Sequence, residues 1–313
     1  MKSHIKLGTR KSLLALTQST WVKEQIEAHH PGVTVELVKI VTKGDKIVDV
    51  PLAQVGGKGL FVKEIEEALL RGEADLAVHS MKDVPSELPP ELHLGIVPQR
   101  EDPRDAFIST RYATFADLPA GARVGTSSLR RRCQLNALRA DLLIENLRGN
   151  LDTRLRKLEE GQFDAIILAA AGLNRLAMGD RARSYFSTEE MLPAVGQGAL
   201  GIELRRDDPE LLAGLAFLHD ENTAIATRAE RAFLTRLEGG CQVPLGAYCQ
   251  VDGERLHLRG LIASEDGGIV LKASRDGGVA EAEALGVDLA EELLAAGGRD
   301  ILAQYYEIGT ENK

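Results

Sequence analysis

Leu7-Gly8-Thr9-Arg10-Lys11-Ser12-Leu13 is echoed by Val124-Gly125-Thr126-Ser127-Ser128-Leu129-Arg130, and Gly72-Glu73-Ala74-Asp75-Leu76-Ala77-Val78 by Gly161-Gln162-Phe163-Asp164-Ala165-Ile166-Ile167. The first pair reads as a short strand turning into a helix that a hydroxyl side chain can cap. The second reads as the lead into a buried strand. Both echoes come in the same order, so the first two hundred residues read as two lobes of similar α/β build.

Working outward, Ser12 caps a helix predicted to run to about His29, where Pro31-Gly32 ends it, and the β-branched stretch 33–41 reads as a strand. Residues 43–59 hold several turn residues and read as a long loop, followed by a helix over 60–71 with Phe61, Ile65 and Leu69 on one face. A buried strand over 74–80 then ends in a polar loop. Gln99-Arg100-Glu101-Asp102-Pro103-Arg104 is a charged crossing to the second lobe, and Gly196, Gly198 and Gly201 loosen a second crossing near 193–201. Two crossings imply a chain that leaves lobe one, builds lobe two and returns, with ligands bound at the C-terminal ends of strands.

From about Thr223 the pattern changes to a helix stopped by Gly239-Gly240, then strands over 256–263 and 269–273 joined in hairpin style through Asp266-Gly267-Gly268. A last helix carries Leu285, Leu289 and Leu293 and ends at Gly297-Gly298. The expected domains are 1–99 with 197–220, 100–196, and a small α+β domain over 221–313.

Composition bounds the function. A chain of 313 residues exceeds one ordinary core, and 44% apolar with 27% charged residues is normal for a globular protein. The net charge of −9 argues against a nucleic-acid binder, but not against a local cationic site. No apolar run reaches the ~18 residues of a membrane span, and Met1 leads into a strand without an apolar signal region, so the cytoplasm is expected. Cys133, Cys241 and Cys249 lack a nearby histidine cluster and make a poor zinc site.

The candidate residues are cationic first. Arg130, Arg131 and Arg132 fall in the first turns of a helix, where a positive charge opposes the helix dipole but where free N–H groups welcome an anion. Arg148 and Arg154 lie beyond another strand, and Arg10 occupies the matching turn of lobe one. Set at strand ends, these guanidinium groups suit carboxylate or phosphate equally. Gly56-Gly57-Lys58-Gly59 lacks the spacing of a nucleotide-binding loop. Asp83 reads either as a turn residue and partner of Lys82, or as an anion that steadies a cationic intermediate or moves protons. His79 reads as a structural histidine. Cys241, between Gly239-Gly240 and Pro244, reads either as packing or as a nucleophilic thiol; Cys133 reads as core.

Together the segments resemble the porphobilinogen deaminase family over nearly the whole length. The resemblance is carried by Arg10-Lys11-Ser12-Leu13-Leu14-Ala15, Val55-Gly56-Gly57-Lys58-Gly59-Leu60-Phe61, His79 with Ser80-Met81-Lys82-Asp83-Val84-Pro85, and Arg100-Glu101-Asp102-Pro103-Arg104-Asp105. It is carried further by Gly125 with Thr126-Ser127-Ser128-Leu129-Arg130-Arg131, Leu147-Arg148-Gly149-Asn150, Leu192-Pro193-Ala194-Val195-Gly196-Gln197-Gly198 and Glu238-Gly239-Gly240-Cys241-Gln242-Val243-Pro244. It implies two periplasmic-binding-protein-like lobes, the first discontinuous, plus a C-terminal α+β domain.

The resemblance also implies a cytoplasmic, monomeric transferase without metal, nucleic-acid or membrane partners. Four porphobilinogen molecules would be deaminated and joined head to tail on a covalent dipyrromethane primer, and water would release hydroxymethylbilane for heme biosynthesis. Cys241 would hold the primer by a thioether, with Asp83 catalytic. Lys82, Asp83, Ser128, Arg130, Arg131, Arg148 and Arg154 would hold the cofactor. Arg10, Ser12, Ser80, Thr126, Ser127, Arg148, Arg154 and Arg175 would line the substrate site. Gln54 stands where many members carry a lysine. The runner-up is a two-lobed sensor of an anionic small molecule, which needs no Cys241.

Overall fold

The computed structural model describes residues 1–46, 62–237 and 243–310. In chain order β1 (His4–Thr9), α1 (Leu13–His29), β2 (Thr34–Lys39), α2 (Lys63–Leu70), β3 (Leu76–Ser80) and β4 (Leu92–Ile96) come first. Then follow β5 (Asp105–Ile108), β6 (Arg123–Gly125), α3 (Leu129–Leu138), β7 (Leu143–Glu145), α4 (Leu151–Glu159), β8 (Ala165–Ala169), α5 (Ala170–Arg175) and β9 (Ser184–Tyr185). The chain continues through β10 (Leu200–Arg205), α6 (Pro209–Leu215), α7 (Glu221–Arg236), β11 (Leu245–Asp252), β12 (Arg255–Ala263), β13 (Val270–Gly278), α8 (Ala282–Leu293) and α9 (Arg299–Thr310).

The described chain divides into two compact units. One takes the residues up to Glu101 and again Ala199–Ala224; the other takes Asp102–Gly198 and the chain from Ile225 onward. The first unit holds a five-stranded sheet of order β2-β1-β3-β10-β4, with β1, β2 and β3 parallel and β10 antiparallel to both its neighbours. The second holds a five-stranded sheet of order β7-β6-β8-β5-β9, parallel through β7, β6 and β8 and antiparallel at β5. Order and directions match strand for strand. The one difference is sequence order, for the antiparallel strand comes last in the first sheet and first in the second.

Local chemistry explains the match. Ser12 accepts from Ala15 N and caps α1, and Ser128 accepts from Arg131 N and caps α3. Asp75 before β3 bonds Lys6 of β1 twice, through its own N–H (2.8 Å) and its Oδ2 (2.9 Å). Asp164 before β8 does the same to Arg123 of β6, at 2.8 and 2.7 Å. The echoed Asp therefore fixes register between the two parallel strands in each sheet.

The second unit also holds the antiparallel sheet β11-β12-β13, whose inner face packs against α7 and α8 through Phe233, Leu258, Ile262 and Leu289. Two expectations change here. The hairpin of 256–263 and 269–273 is the middle and edge of three strands, because β11 precedes it. The helix carrying Leu285, Leu289 and Leu293 stops by Gly297-Gly298 but is not the last: Gly297 turns left-handed at φ +111° and the chain goes on into α9. No helix among the described residues is long and apolar enough to cross a membrane.

Candidate functional site

In the first unit the predicted residues leave neighbouring parallel strands at one end. Arg10 and Ser12 follow β1; Ser80, Lys82 and Asp83 follow or end β3. Ser12 Oγ serves the α1 cap. Ser80 Oγ is held by Gln18 Nε2 at 3.0 Å. Met81–Asp83 is a single 3₁₀ turn, pinned by Met81 N to Ala199 O (3.0 Å) and by burial of Met81 among Leu94, Val97, Ala199 and Ala224. The turn thereby leaves the flanking Lys82 and Asp83 partly exposed beyond the sheet.

In the second unit the residues again cluster at one sheet end. Thr126, Ser127 and Ser128 follow β6, Arg148 and Arg154 follow β7, and Arg175 ends the helix after β8. The hydroxyls are engaged within the turn. Thr126 Oγ1 accepts from Ser128 N (3.2 Å), Ser127 Oγ donates to Leu147 O (2.7 Å), and Ser128 caps α3. Gly149 takes φ +112°, and a Cβ there would lie 2.6 Å from Thr153 Cγ2. Only glycine fits that bend, from which Asn150 caps α4 through Thr153 N. Half-buried Arg154 and Arg175 reach backbone carbonyls, Nε to Gly149 O at 2.8 Å and Nη2 to Gly198 O at 2.7 Å.

Arg130 and Arg131 differ from the rest, being 3% and 6% exposed. Both turn inward onto Asp105, the first residue of β5, which is fully buried. Its Oδ2 accepts from Arg130 Nη1 at 2.8 Å; its Oδ1 accepts from Arg131 Nε (2.9 Å) and Nη2 (2.7 Å) and from Gln197 Nε2 (3.0 Å). Burial by itself would raise the Asp105 pKa, but the two guanidinium groups outweigh it and hold the carboxyl well below the usual carboxylate range. Two cations and one anion leave one positive charge at the helix start. Arg132 faces Glu265 (2.9 Å) and Asn146 (2.9 Å) instead.

Asp105 and Gln197 stand inside sequence motifs that do not reveal their part, and no motif marks Glu230. That carboxylate, fully buried on α7, accepts from Gly196 N (2.7 Å) and Cys249 N (2.9 Å), tying the Gly-rich turn to β11. The signal for Asp105 was the charge sequence itself, since two arginines in a helix's first turn call for an anion. Cys133 and Cys249 are buried. Cys241, Gln54 and Lys58 lie outside the described residues. Among those described, no cluster suits a metal ion.

Two sheets that each present basic and hydroxyl side chains at the ends of parallel strands, joined to an α+β portion, make an α/β protein suited to an anionic ligand. The model of the porphobilinogen deaminase, dipyromethane cofactor binding domain, matches residues 5–213, and that of the porphobilinogen deaminase C-terminal domain matches 224–295. Porphobilinogen deaminase of Syntrophotalea carbinolica is 59% identical over 301 residues, 96% of either chain. That of Geobacter metallireducens is 58% identical, over 97% of this chain and 95% of its own. Among solved structures, the methionine-binding protein MetQ aligns with 69% of this chain and 89% of its own at 15% identity and a TM-score of 0.44. The chain belongs to the porphobilinogen deaminase family. It is an enzyme of tetrapyrrole biosynthesis, a transferase with a dipyrromethane cofactor.

Proposed function

We propose that this enzyme joins four porphobilinogen molecules head to tail with loss of ammonia and frees the linear product with water. Cys241 carries the cofactor by a thioether, and Asp83 is the catalytic anion. The enzyme works as a cytoplasmic monomer with no nucleic-acid or membrane partner. The observation that carries it is the common placement of the basic residues at the C-terminal ends of parallel strands, with a surplus positive charge at Arg130, Arg131 and Asp105.

The donor set fits a pyrrole ligand. Each pyrrole of this pathway bears two carboxylates, so the bound chain is a polyanion. Arg148, Arg154, Arg175, Arg10 and Lys82 offer charged donors to it, each such bond contributing ~1.5–3 kcal/mol. Arg130 and Arg131 hold the one-charge surplus that suits a further carboxylate, and the aliphatic stem of Arg130 packs beside Gly246 at the start of β11. The hydroxyls of Ser12, Ser80, Thr126, Ser127 and Ser128 fix the turns that present these donors. When bound, the dipyrromethane supplies a nucleophilic pyrrole carbon. Asp83 places negative charge beside the ring of the incoming substrate, where positive charge develops as ammonia leaves. Its carboxylate also takes and returns ring protons.

Intact mass spectrometry of freshly purified protein tests the assignment. The wild type should exceed its sequence mass by one dipyrromethane, and Cys241→Ser should not. An unmodified wild type, or an adduct mapped to Cys133 or Cys249, defeats the reading.

A further inference from the structure

Glu66, His79 and Glu203 take no part in the chemistry above, yet they are placed together in the core of the first unit. Glu203 lies in β10, between β3 and β4, and is fully buried. A carboxyl there demands compensation. Ala77 stands opposite it on β3, and His79, two residues along on the same face, reaches it from Nε2 to Oε2 at 2.9 Å. Glu203 Oε1 remains buried with no hydrogen-bond partner among the described residues. So does Oε1 of Glu66. Glu66 sits on α2, which packs on this same face through Ile65 and Leu69 against Ala77. Two buried acceptors on neighbouring carboxyl groups are satisfied together by one proton, because a protonated carboxyl is a donor.

We propose that Glu66 retains a proton and donates it to Glu203, making Glu66, Glu203 and His79 one hydrogen-bonded chain that positions the end of β3 and the Met81–Asp83 turn leaving it. The effect on turnover rests on the reading of Asp83 as catalytic; the proton on Glu66 does not. Burial, then the negative charge of Glu203, push the Glu66 carboxyl up to about 7 from its ordinary 4.5, against the opposing pull of His79 and Lys63 and with the aid of Glu67. From β4, Leu94 stands opposite Glu203, while His93, paired with Leu204 on the other face of the sheet, feels the charges of Arg206 and Glu203. Since the folded protein holds this proton longer than the unfolded chain does, the stabilisation is full below the ordinary value. It declines as pH rises toward about 7 and is gone above it.

The test compares wild type, Glu66→Gln and Glu66→Leu as cofactor-loaded enzymes. Wild type should show the infrared carbonyl band of a protonated carboxylic acid near pH 6, fading as pH rises through about 7, and Glu66→Gln should lack it. Glutamine donates to Glu203 at every pH, so the kcat ratio of Glu66→Gln to wild type in ammonia release should climb across that window. Leucine leaves the acceptor unpaired and should lower kcat about tenfold with KM little moved, a loss that glutamine rescues. Absence of the band overturns the proposal. A band accompanied by a flat ratio, or by equal behaviour of Gln and Leu, overturns the positioning of the turn. Should Asp83→Asn release ammonia at the wild-type rate, the reading of Asp83 fails while the band stays.

Discussion

Replacing Asp105 by Asn tests the most heavily engaged charge in the second unit. The carboxylate accepts from Arg130, Arg131 and Gln197 and is fully buried. Asparagine keeps the shape and one acceptor oxygen but removes the charge, leaving two guanidinium groups buried without a counter-ion. Breaking a buried pair by removing one partner costs ~3–5 kcal/mol. The retained oxygen puts Asn near the lower figure, about 3 kcal/mol, which in a unit of this size lowers Tm by roughly 6–12 °C. Thermal unfolding followed by circular dichroism measures it. The pH dependence is an independent check. Because the folded Asp105 carboxyl is held below its ordinary value of 3.8, its stabilisation is complete above that value and declines only as pH falls beneath it. The Tm gap between wild type and Asp105→Asn should therefore be constant from neutrality down to about pH 5 and narrow in stronger acid. A gap under about 2 °C at neutral pH, or one that closes between pH 7 and 5, would refute the assignment of Asp105 as the shared counter-ion.

Three further outcomes are expected. Gly149→Ala forces a left-handed φ on a side chain that meets Thr153 at 2.6 Å; it should cost about 2 kcal/mol or more and loosen the first turn of α4, and unchanged amide exchange there would contradict the clash. Asp83→Asn should fold and keep its cofactor but release ammonia in single turnover about 100- to 1,000-fold more slowly. Burial pushes the Cys133 thiol up to about 12, so alkylation of native protein at neutral pH should spare it until unfolding; early label at Cys133, mapped by mass, would show the thiol accessible.

Much of this was legible in the sequence where local chemistry decides the outcome. Ser12 announces α1, and the paired Gly and Asp at 72–75 and 161–164 announce the repeated strand entry. What the sequence does not show is long-range. The anion that Arg130 and Arg131 share, Asp105, lies 25 and 26 residues upstream, across a sheet. Arg131→Leu would strand part of the Asp105 charge, so it should weaken the fold as well as cofactor holding. The β11 strand escaped notice because glycine at 246 and cysteine at 249 weaken its pattern; the glycine is there because Pro193 O would lie 2.8 Å from a Cβ. α9 was missed because Gly297 is a familiar stop signal, and here the helix path bends at it and resumes. The Glu66, His79 and Glu203 cluster joins α2 and β3 to β10, more than a hundred residues further on, so no spacing rule reveals it.

The antiparallel strand of each sheet sets the order in which a newly made chain can complete itself on the ribosome. β4 sits at an edge of the first sheet and is joined to it only through β10, which is synthesised after the whole second sheet. During roughly ten seconds of translation β3 keeps an open edge and β4 has no sheet to join. The second sheet has no such wait, because β5 precedes the strands that pair with it and β9 closes its edge soon after. The half of the molecule made later should therefore mature first. Chains truncated just before β10 and held clear of the ribosome by a linker should display an intact β5–β9 sheet beside a protease-sensitive, chaperone-binding β3 edge, which 200–205 would bury.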